Sequence, residues 1–375
     1  MSILKSFKSP YVMIDTPALL IDQNIMMQNL RSMINKAEEN KVNLRPHTKT
    51  HRMPELARLC LNEGAKGIAV AKIGEAEVMA ENGIKDIFIA NEIIGEIKYN
   101  RLKALHDKIE IRIGVDGKEQ IDQIEKVFVN TSKPLEVLIE IEVGENRSGV
   151  IEDEDLFELG QYILSKKNVV LKGVFSHEGH CYKASCAEEC IRLARIAHRR
   201  TVAAAELLRT MGHKIDIVSI GSTPSLMHGE IAEGVTEIRP GTFILMDVGQ
   251  GSAISDFSKC AATVLSSVIS RPTAERVVLD AGAKALTSQN RTEGICTTYG
   301  YGMIKNSNNV RLSGVFDEHA VLYNRGFREA IAVGDKVEVI PNHICPTCNL
   351  YEKAYLVTDG KVIKEIPVLC RGKSQ

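Results

Sequence analysis

From about residue 18 to residue 247 the chain alternates between short apolar, β-branched runs and longer amphipathic ones, and this rhythm limits the fold more than any other feature. Gly67–Ala71, Asp86–Ala90, Ile109–Ile113, Glu136–Val143, Leu171–Phe175, Ile217–Ile220 and Phe243–Met246 read as strands, because branched or apolar side chains dominate them. Ala18–Asp22 and Val42–Pro46 read the same way. Helical patterns lie between most of these runs. One covers Asn24 to Asn40, and another opens at Pro54, where the missing N–H is no loss. A third runs from Glu75 to Asn82 and stops at Gly83, and the longest spans Cys186 to Met211. Strands that alternate with helices build βαβ units and a parallel sheet. Eight or so such units suit a closed α/β barrel of the TIM type, (β/α)8. An open doubly wound sheet is the alternative.

After residue 258 the rhythm changes. Thr263–Ile269, Arg276–Leu279, Val310–Val315, Lys336–Ile340 and Ala354–Val357 read as strands, with turn signals such as Asp280-Ala-Gly282 and Asp359-Gly360. No long amphipathic helix separates them. The predicted organisation is a barrel over residues 16–257 and a smaller C-terminal β domain over 258–375, with residues 1–15 packing on the latter.

Composition narrows the function. At 44% hydrophobic residues the 375-residue chain can fill a large core, and with no Trp and 5% aromatics that core rests on Ile, Leu, Val, Ala and Met. The 47 Lys and Arg against 48 Asp and Glu leave a net charge of -1. That balance excludes a nucleic-acid binder, whose affinity comes from neutralising phosphates, and an acidic disordered chain. No apolar run has membrane-spanning length, and Met1–Lys8 lacks the apolar stretch of a secretory signal. Nine scattered cysteines read as reduced thiols, so a cytoplasmic protein is expected.

Four segments can carry chemistry. In Arg45-Pro-His-Thr-Lys-Thr-His51, at a strand end, an extended chain would put Arg45, His47, Lys49 and His51 on one side. Crowded positive charge lowers a lysine pKa, as imine formation with an aldehyde requires. A solvated basic turn is the plain alternative. The turns Ile220-Gly-Ser-Thr-Pro-Ser225 and Arg239-Pro-Gly-Thr-Phe243 let backbone N–H groups and hydroxyls close around an anion, or are ordinary turns. His177-Glu-Gly-His-Cys-Tyr182 offers acid–base groups, and His177 with His180 is a conceivable metal pair; structural histidines capped by backbone are equally consistent. Near the C-terminus, His343 and Cys345 alternate with Ile344, so on a strand both point one way and suit zinc. Cys345-Pro-Thr-Cys348 also reads as a redox pair, but it lacks the early helix-opening position that such a motif takes. Two inert thiols are the plain alternative.

Taken together these segments resemble fold-type III pyridoxal-phosphate enzymes, the D-serine dehydratase and D-threonine aldolase family with its alanine racemase-like barrel. Asp15–Asp22, Gly74–Glu77, Gly144-Glu-Asn-Arg-Ser-Gly149 and Asp317-Glu-His319 carry the resemblance with the four segments above. The resemblance implies that Lys49 holds pyridoxal 5'-phosphate in an imine link and shuttles the α-proton, with Arg147 beside the pyridine ring. It implies that Tyr182, Ser222, Thr223, Gly241 and Thr242 contact the phosphate or its surroundings. His343 and Cys345 would bind a divalent metal, zinc first with manganese or magnesium as alternatives. His177, His180 and His319 are the further acid–base candidates. The implied protein is a homodimer with composite active sites and a small D-amino acid as substrate, and has no nucleic-acid or membrane partner. Aldolases of this group often carry Asp at the place of Cys345 and Tyr at the place of His177. The sequence therefore leans to D-serine dehydratase, with D-threonine aldolase and D-threo-3-hydroxyaspartate dehydratase as alternatives. An amino-acid racemase or a cofactor carrier without turnover fits less well, because neither uses a metal pair in a β tail.

Overall fold

Runs of two to nine residues, most of them rich in apolar or branched side chains, become strands along the chain. In a computed structural model describing residues 7–375, these are β1 (Ala18–Asp22), β2 (Asn43–Leu44), β3 (Ile68–Val70), β4 (Asp86–Glu92), β5 (Glu110–Val115), β6 (Leu135–Glu140), β7 (Val169–Phe175), β8 (Ile217–Ile220) and β9 (Glu237–Ile238). The later ones are β10 (Ala262–Ser270), β11 (Arg276–Leu279), β12 (Met303–Ile304), β13 (Gly314–Val315), β14 (Ala320–Tyr323), β15 (Lys336–Ile340), β16 (Lys353–Thr358) and β17 (Lys361–Pro367). The described chain divides into two compact units, one over residues 32–49, 54–241 and 372–375 and the other over 7–31, 50–53 and 242–371.

The first unit is the α/β barrel. Its sheet runs β2-β9-β8-β7-β6-β5-β4-β3, and every pair is parallel. The ends meet through a parallel bridge between His47 and Ala69, with the Ala69 N–H donating to the Pro46 carbonyl at 2.9 Å. The ring therefore closes, as the count of βα units predicts, and the open doubly wound alternative is excluded. Helices such as Pro54–Asn62, Ile73–Glu81 and Ala187–Thr210 bury one face and fill the crossovers. Ala69, Phe88, Leu138 and Phe175 pack as one cluster, with the Phe88 and Phe175 rings edge-on at 5.1 Å. Gly114 makes room for this, since a Cβ there would lie 2.7 Å from Phe175 Cζ.

The second unit is built on a nine-stranded sheet, β13-β14-β11-β10-β1-β16-β17, with β15 on β10 and β12 on β15. Its core includes Val264, Leu279, Leu322, Phe327 and Val339. β1 corrects one expectation. Ala18–Asp22, grouped in the sequence with the barrel strands, pairs antiparallel with β10 and parallel with β16. Four of its five residues are buried, and a short run apolar on both faces fits the middle of either sheet. Residues 7–15 lie on the same unit: the Ser9 N–H donates to the Lys336 carbonyl, and the Phe7 and Phe327 rings lie 5.2 Å apart. Of the N-terminal segment expected to pack there, residues 1–6 lie outside the described residues. The expected strand at Phe243–Met246 is instead a 3-10 turn over Thr242–Ile244, and Val310–Val315 pairs as a strand only at Gly314–Val315. Among the described residues no helix is long and apolar enough to cross a membrane.

Candidate active site

Barrels of this kind place their reactive side chains where the chain leaves the C-terminal ends of the strands. Lys49 sits there, in a 3-10 turn over Thr48–Thr50 that follows β2. The turn breaks the alternation that the sequence suggested, and the four basic residues do not face one way. Arg45 is buried and turns to acids instead: its Nε donates to Glu237 Oε2 at 2.7 Å and its Nη1 to Asp86 Oδ1 at 2.8 Å. His51 is also buried, with Nδ1 accepting from the Met53 N–H at 3.0 Å, and burial pushes its pKa down to about 3. His47 stays with Lys49. Its Nδ1 accepts from the Lys49 N–H at 3.4 Å. Burial, then the Lys49 charge, hold its pKa well below the usual imidazole value.

β7 delivers the second group. The Nδ1 of His177 donates to the Gly221 carbonyl at 2.6 Å, which leaves Nε2 as the acceptor of a neutral ring. Desolvation, then Lys49 and Arg147, hold its pKa well below the ordinary value. The rings of His177 and Tyr182 lie 6.5 Å apart. His180 packs its ring over Gly144, within 3.4 Å of where a Cβ would stand, and its Nδ1 is buried without a partner. On the loop after β6, Arg147 reaches Glu140 Oε1 at 3.2 Å and Glu145 Oε2 at 3.3 Å.

The Gly221–Ser225 turn after β8 is an anion cradle by construction. Ser222 Oγ accepts from the Ser225 N–H at 3.3 Å and donates to Ser225 Oγ at 2.8 Å. A Cβ on Gly221 would sit 2.8 Å from the Arg239 backbone. Thr223 Oγ1 is buried with no hydrogen-bond partner, which is costly unless a ligand supplies one. A phosphate oxygen fits that hydroxyl, so this turn suits the cofactor that the sequence implied. Gly241 lies on the loop after β9 in the same unit and is half-buried.

Two further residues brace the site: Glu178, which the sequence offered only among general acid–base groups, and Arg239, which it did not single out. Glu178 is fully buried, and its carboxylate accepts from Ser176 Oγ, Ser225 Oγ and the Gly221 N–H, pinning the cradle from behind. Arg239 is buried beneath the site, over the Phe88 and Phe175 rings, donating to Ser219 Oγ at 2.6 Å and to the Ser176 carbonyl at 2.7 Å. Its Nε is buried and unpartnered. Both lie inside motifs quoted from the sequence, but only tertiary contacts reveal their roles.

The sheet unit holds the other candidates. Ile344–Cys348 is a short helical turn with His343 as its N-cap, so the strand expected for His343 and Cys345 is corrected. Asp247 forces this turn: its Oδ2 accepts from the Ile344 N–H at 3.0 Å, while its Oδ1 accepts from the Gln250 N–H at 2.8 Å. His343 Nδ1 meets Gln289 Oε1 at 2.9 Å. An amide oxygen accepts, so the proton is on Nδ1 and Nε2 keeps its lone pair, the tautomer a metal requires. Cys345 Sγ lies 3.4 Å from Thr50 Oγ1 and 3.6 Å from Thr242 Oγ1. Thr242, expected near a phosphate, is thus found beside the thiol. Among the described residues no group of three or more His, Cys, Asp or Glu gathers around a metal position. A histidine and a thiolate still fit a divalent metal with open positions. Cys348 is buried and its thiol is pushed well up by desolvation, which makes it a poor redox partner. His319 is exposed in the turn between β13 and β14.

Comparison with known proteins finds relatives that span nearly the whole chain. Residues 21–248 match the family of the alanine racemase N-terminal domain, and residues 261–357 match a serine dehydratase domain. The D-threonine aldolase of Arthrobacter sp is 31% identical over 98% of this chain and 95% of its own. The D-threo-3-hydroxyaspartate dehydratase of Delftia sp. strain HT23 is 30% identical, covering 93% of this chain and 96% of its own. The D-serine dehydratase of Dictyostelium discoideum is 26% identical over 93% and 95%. Among solved structures, D-threonine aldolase from Filomicrobium marinum superposes with a TM-score of 0.88 at 27% identity over the whole of both chains. A cysteine-to-alanine variant of D-threo-3-hydroxyaspartate dehydratase in the metal-free form superposes with a TM-score of 0.85 at 26% identity, over 95% of this chain and 98% of that one.

Proposed function

We infer the function from one premise: the chain belongs to the alanine racemase N-terminal domain family and carries a serine dehydratase domain behind that barrel. It is a pyridoxal-phosphate-dependent lyase of fold type III, acting on D-β-hydroxy amino acids. The finer reading is D-serine dehydratase, converting D-serine to pyruvate and ammonia with a metal bound by His343 and Cys345. The observation that carries it is the His343–Cys345 turn, where an imidazole with its Nδ1 on an amide oxygen and a thiol flanked by threonine hydroxyls offer a soft ligand pair. A metal-free cysteine variant of a relative supports a thiolate in that role.

When bound, the cofactor supplies an electron sink for charge at Cα, and the metal supplies a Lewis acid for the β-hydroxyl. The chain's own residues do the rest. Lys49 Nζ would carry the cofactor and, once displaced by substrate, accept the α-proton. Thr223 Oγ1, the Ser222 turn and Gly241 would hold the phosphate. Arg147 would lie beside the ring, and buried Arg239 adds a fixed positive charge below it. His177, neutral and fixed by the Gly221 carbonyl, would keep an acceptor nitrogen next to Lys49 without adding charge. Tyr182 would lie against the cofactor, and His180, with an unpartnered Nδ1, is placed to move a second proton.

Retro-aldol cleavage is the second reading, favoured by the 31% identity to a D-threonine aldolase. It needs a base for the β-hydroxyl proton, and His180 or exposed His319 would serve. Hydroxyaspartate dehydration needs only a wider substrate pocket. Incubation with D-serine, D-threonine and D-threo-3-hydroxyaspartate separates the three. The dehydratase reading expects pyruvate and ammonia in equal amounts from D-serine. Glycine and an aldehyde from D-threonine, with no pyruvate from D-serine, would overturn it. We also read the protein as a homodimer of the cytoplasm: Tyr299 and Phe316 are 71% and 64% exposed on the sheet unit, and its cysteines are thiols rather than disulfides.

A further inference from the structure

Three neighbouring barrel strands end in carboxyl groups. Glu92 closes β4, Asp116 follows β5, and Glu140 closes β6, and in the sheet these strands lie side by side. Their partners differ. Asp116 is engaged by the Gln120 amide at 2.8 Å and the Gly149 N–H at 3.2 Å. Glu140 accepts from Ser148 Oγ at 2.9 Å and from Arg147 at 3.2 Å. The Glu92 carboxyl group faces Glu140, and its Oε1 is buried with no hydrogen-bond partner. Two carboxyl groups in direct contact cannot both ionise, because each charge disfavours the other and burial disfavours both. One of the two must carry a proton to make their hydrogen bond. Desolvation first, then the Glu140 hydrogen bond and the Glu140 and Asp116 charges, push Glu92 well above the ordinary carboxylate range.

We propose that Glu92 is a proton-bearing positioning residue: its carboxyl group donates one hydrogen bond to Glu140, and the singly charged pair holds Arg147 in place. Arg147 then faces two negative charges rather than three. Arg147 is flanked by Glu140 and by Glu145, from its own loop, and Glu92 adds a contact to Glu140 without adding a third negative charge. The groups facing Glu92 are Glu140 from β6 and Asp116 from the end of β5, both acidic. Deprotonation would therefore set Glu92 against Glu140, break their hydrogen bond and shift the Glu140 carboxylate with which Arg147 pairs. The proposal rests on Arg147 as a cofactor-contacting residue only for its effect on turnover; the proton itself is independent of that reading.

The test uses the holoenzyme at neutral pH, read by infrared spectroscopy, with Glu92→Gln and Glu92→Ala variants. The expected wild-type spectrum has a protonated-carboxyl C=O band that shifts in heavy water and is lost in both variants, but persists in a control Glu154→Gln at an exposed helix position. Glu92→Gln still donates to Glu140, so its kcat should stay within about twofold of wild type and its cofactor spectrum should lose the alkaline transition. Glu92→Ala should lower kcat roughly tenfold or more, with KM little changed, because a displaced Arg147 misaligns the site. A wild-type spectrum without the band, or a band that persists in Glu92→Gln, overturns the proton assignment. Equal loss of kcat in the Gln and Ala variants overturns the positioning role while leaving the lyase reading intact. Should Glu92→Ala fail to fold, Glu92→Gln alone decides through its band and its alkaline profile.

Discussion

At the scale of single residues, Thr223 makes the sharpest statement. Its buried hydroxyl has no partner in the protein, so the folded chain carries a cost that only a ligand removes. Thr223→Val removes the cost and the ligand contact together. The unliganded protein should gain stability, by about 1 kcal/mol where an unsatisfied buried hydroxyl is removed, while cofactor affinity falls roughly tenfold. Urea melts of the cofactor-free variant and a fluorescence titration with pyridoxal phosphate measure the two effects. A less stable variant with unchanged affinity would remove Thr223 from the cradle. Around Lys49 the one-sided basic cluster that alternation suggests does not form. Arg45 is neutralised by Glu237 and Asp86, and the groups that interact with Lys49 are His47 and His177, both with lowered pKa, and the Glu145 carboxyl. Distant partners on β4 and β9 decide where Arg45 points, and one segment read alone does not contain them.

At the scale of elements, the barrel strands were legible because their branched runs and the helices between them obey two different periods. β1 was not, because four consecutive apolar residues suit the centre of either sheet and the partners β10 and β16 lie more than two hundred residues away. The turn carrying His343 and Cys345 was misread as a strand for a related reason. Alternation over three residues is too short to separate a strand from a helical turn, and Asp247 decides it from a remote position. Asp247→Ala should therefore cost about 1–3 kcal/mol in stability and lower metal content, since two backbone N–H groups lose their acceptor. Thermal melts and metal analysis of the purified variant check this. Full metal occupancy with a loosened turn would contradict the role given to the turn. Cys345→Ala acts on the metal itself and should leave the protein folded, with metal content and D-serine turnover both lost.

At the scale of the whole molecule, buried histidines set the pH range in which the fold is stable. His47, His51, His177 and His198 all have pKa values lowered in the fold, in each case first by desolvation. Unfolded, they titrate near 6.5. Below about pH 6.5 the unfolded chain binds more protons than the native one, so this contribution is whole above that pH and is lost as pH falls. Glu92 acts in the opposite sense, because its raised pKa makes the fold lose stability as pH rises from about 4.5. Urea midpoints should therefore fall from pH 7 to pH 5.5; a midpoint that is flat or rises would show that the histidines are solvated. The barrel and the sheet unit both belong to a lyase whose chemistry starts at one amine, and that assignment has a direct measurement. Borohydride reduction of the holoenzyme, followed by proteolysis and mass spectrometry, fixes the cofactor to the lysine that carries it. The peptide containing Lys49 should hold the whole label, and Lys49→Ala should hold none and lose the visible cofactor absorbance. Label on any other lysine, or an unaltered spectrum in Lys49→Ala, would contradict the account.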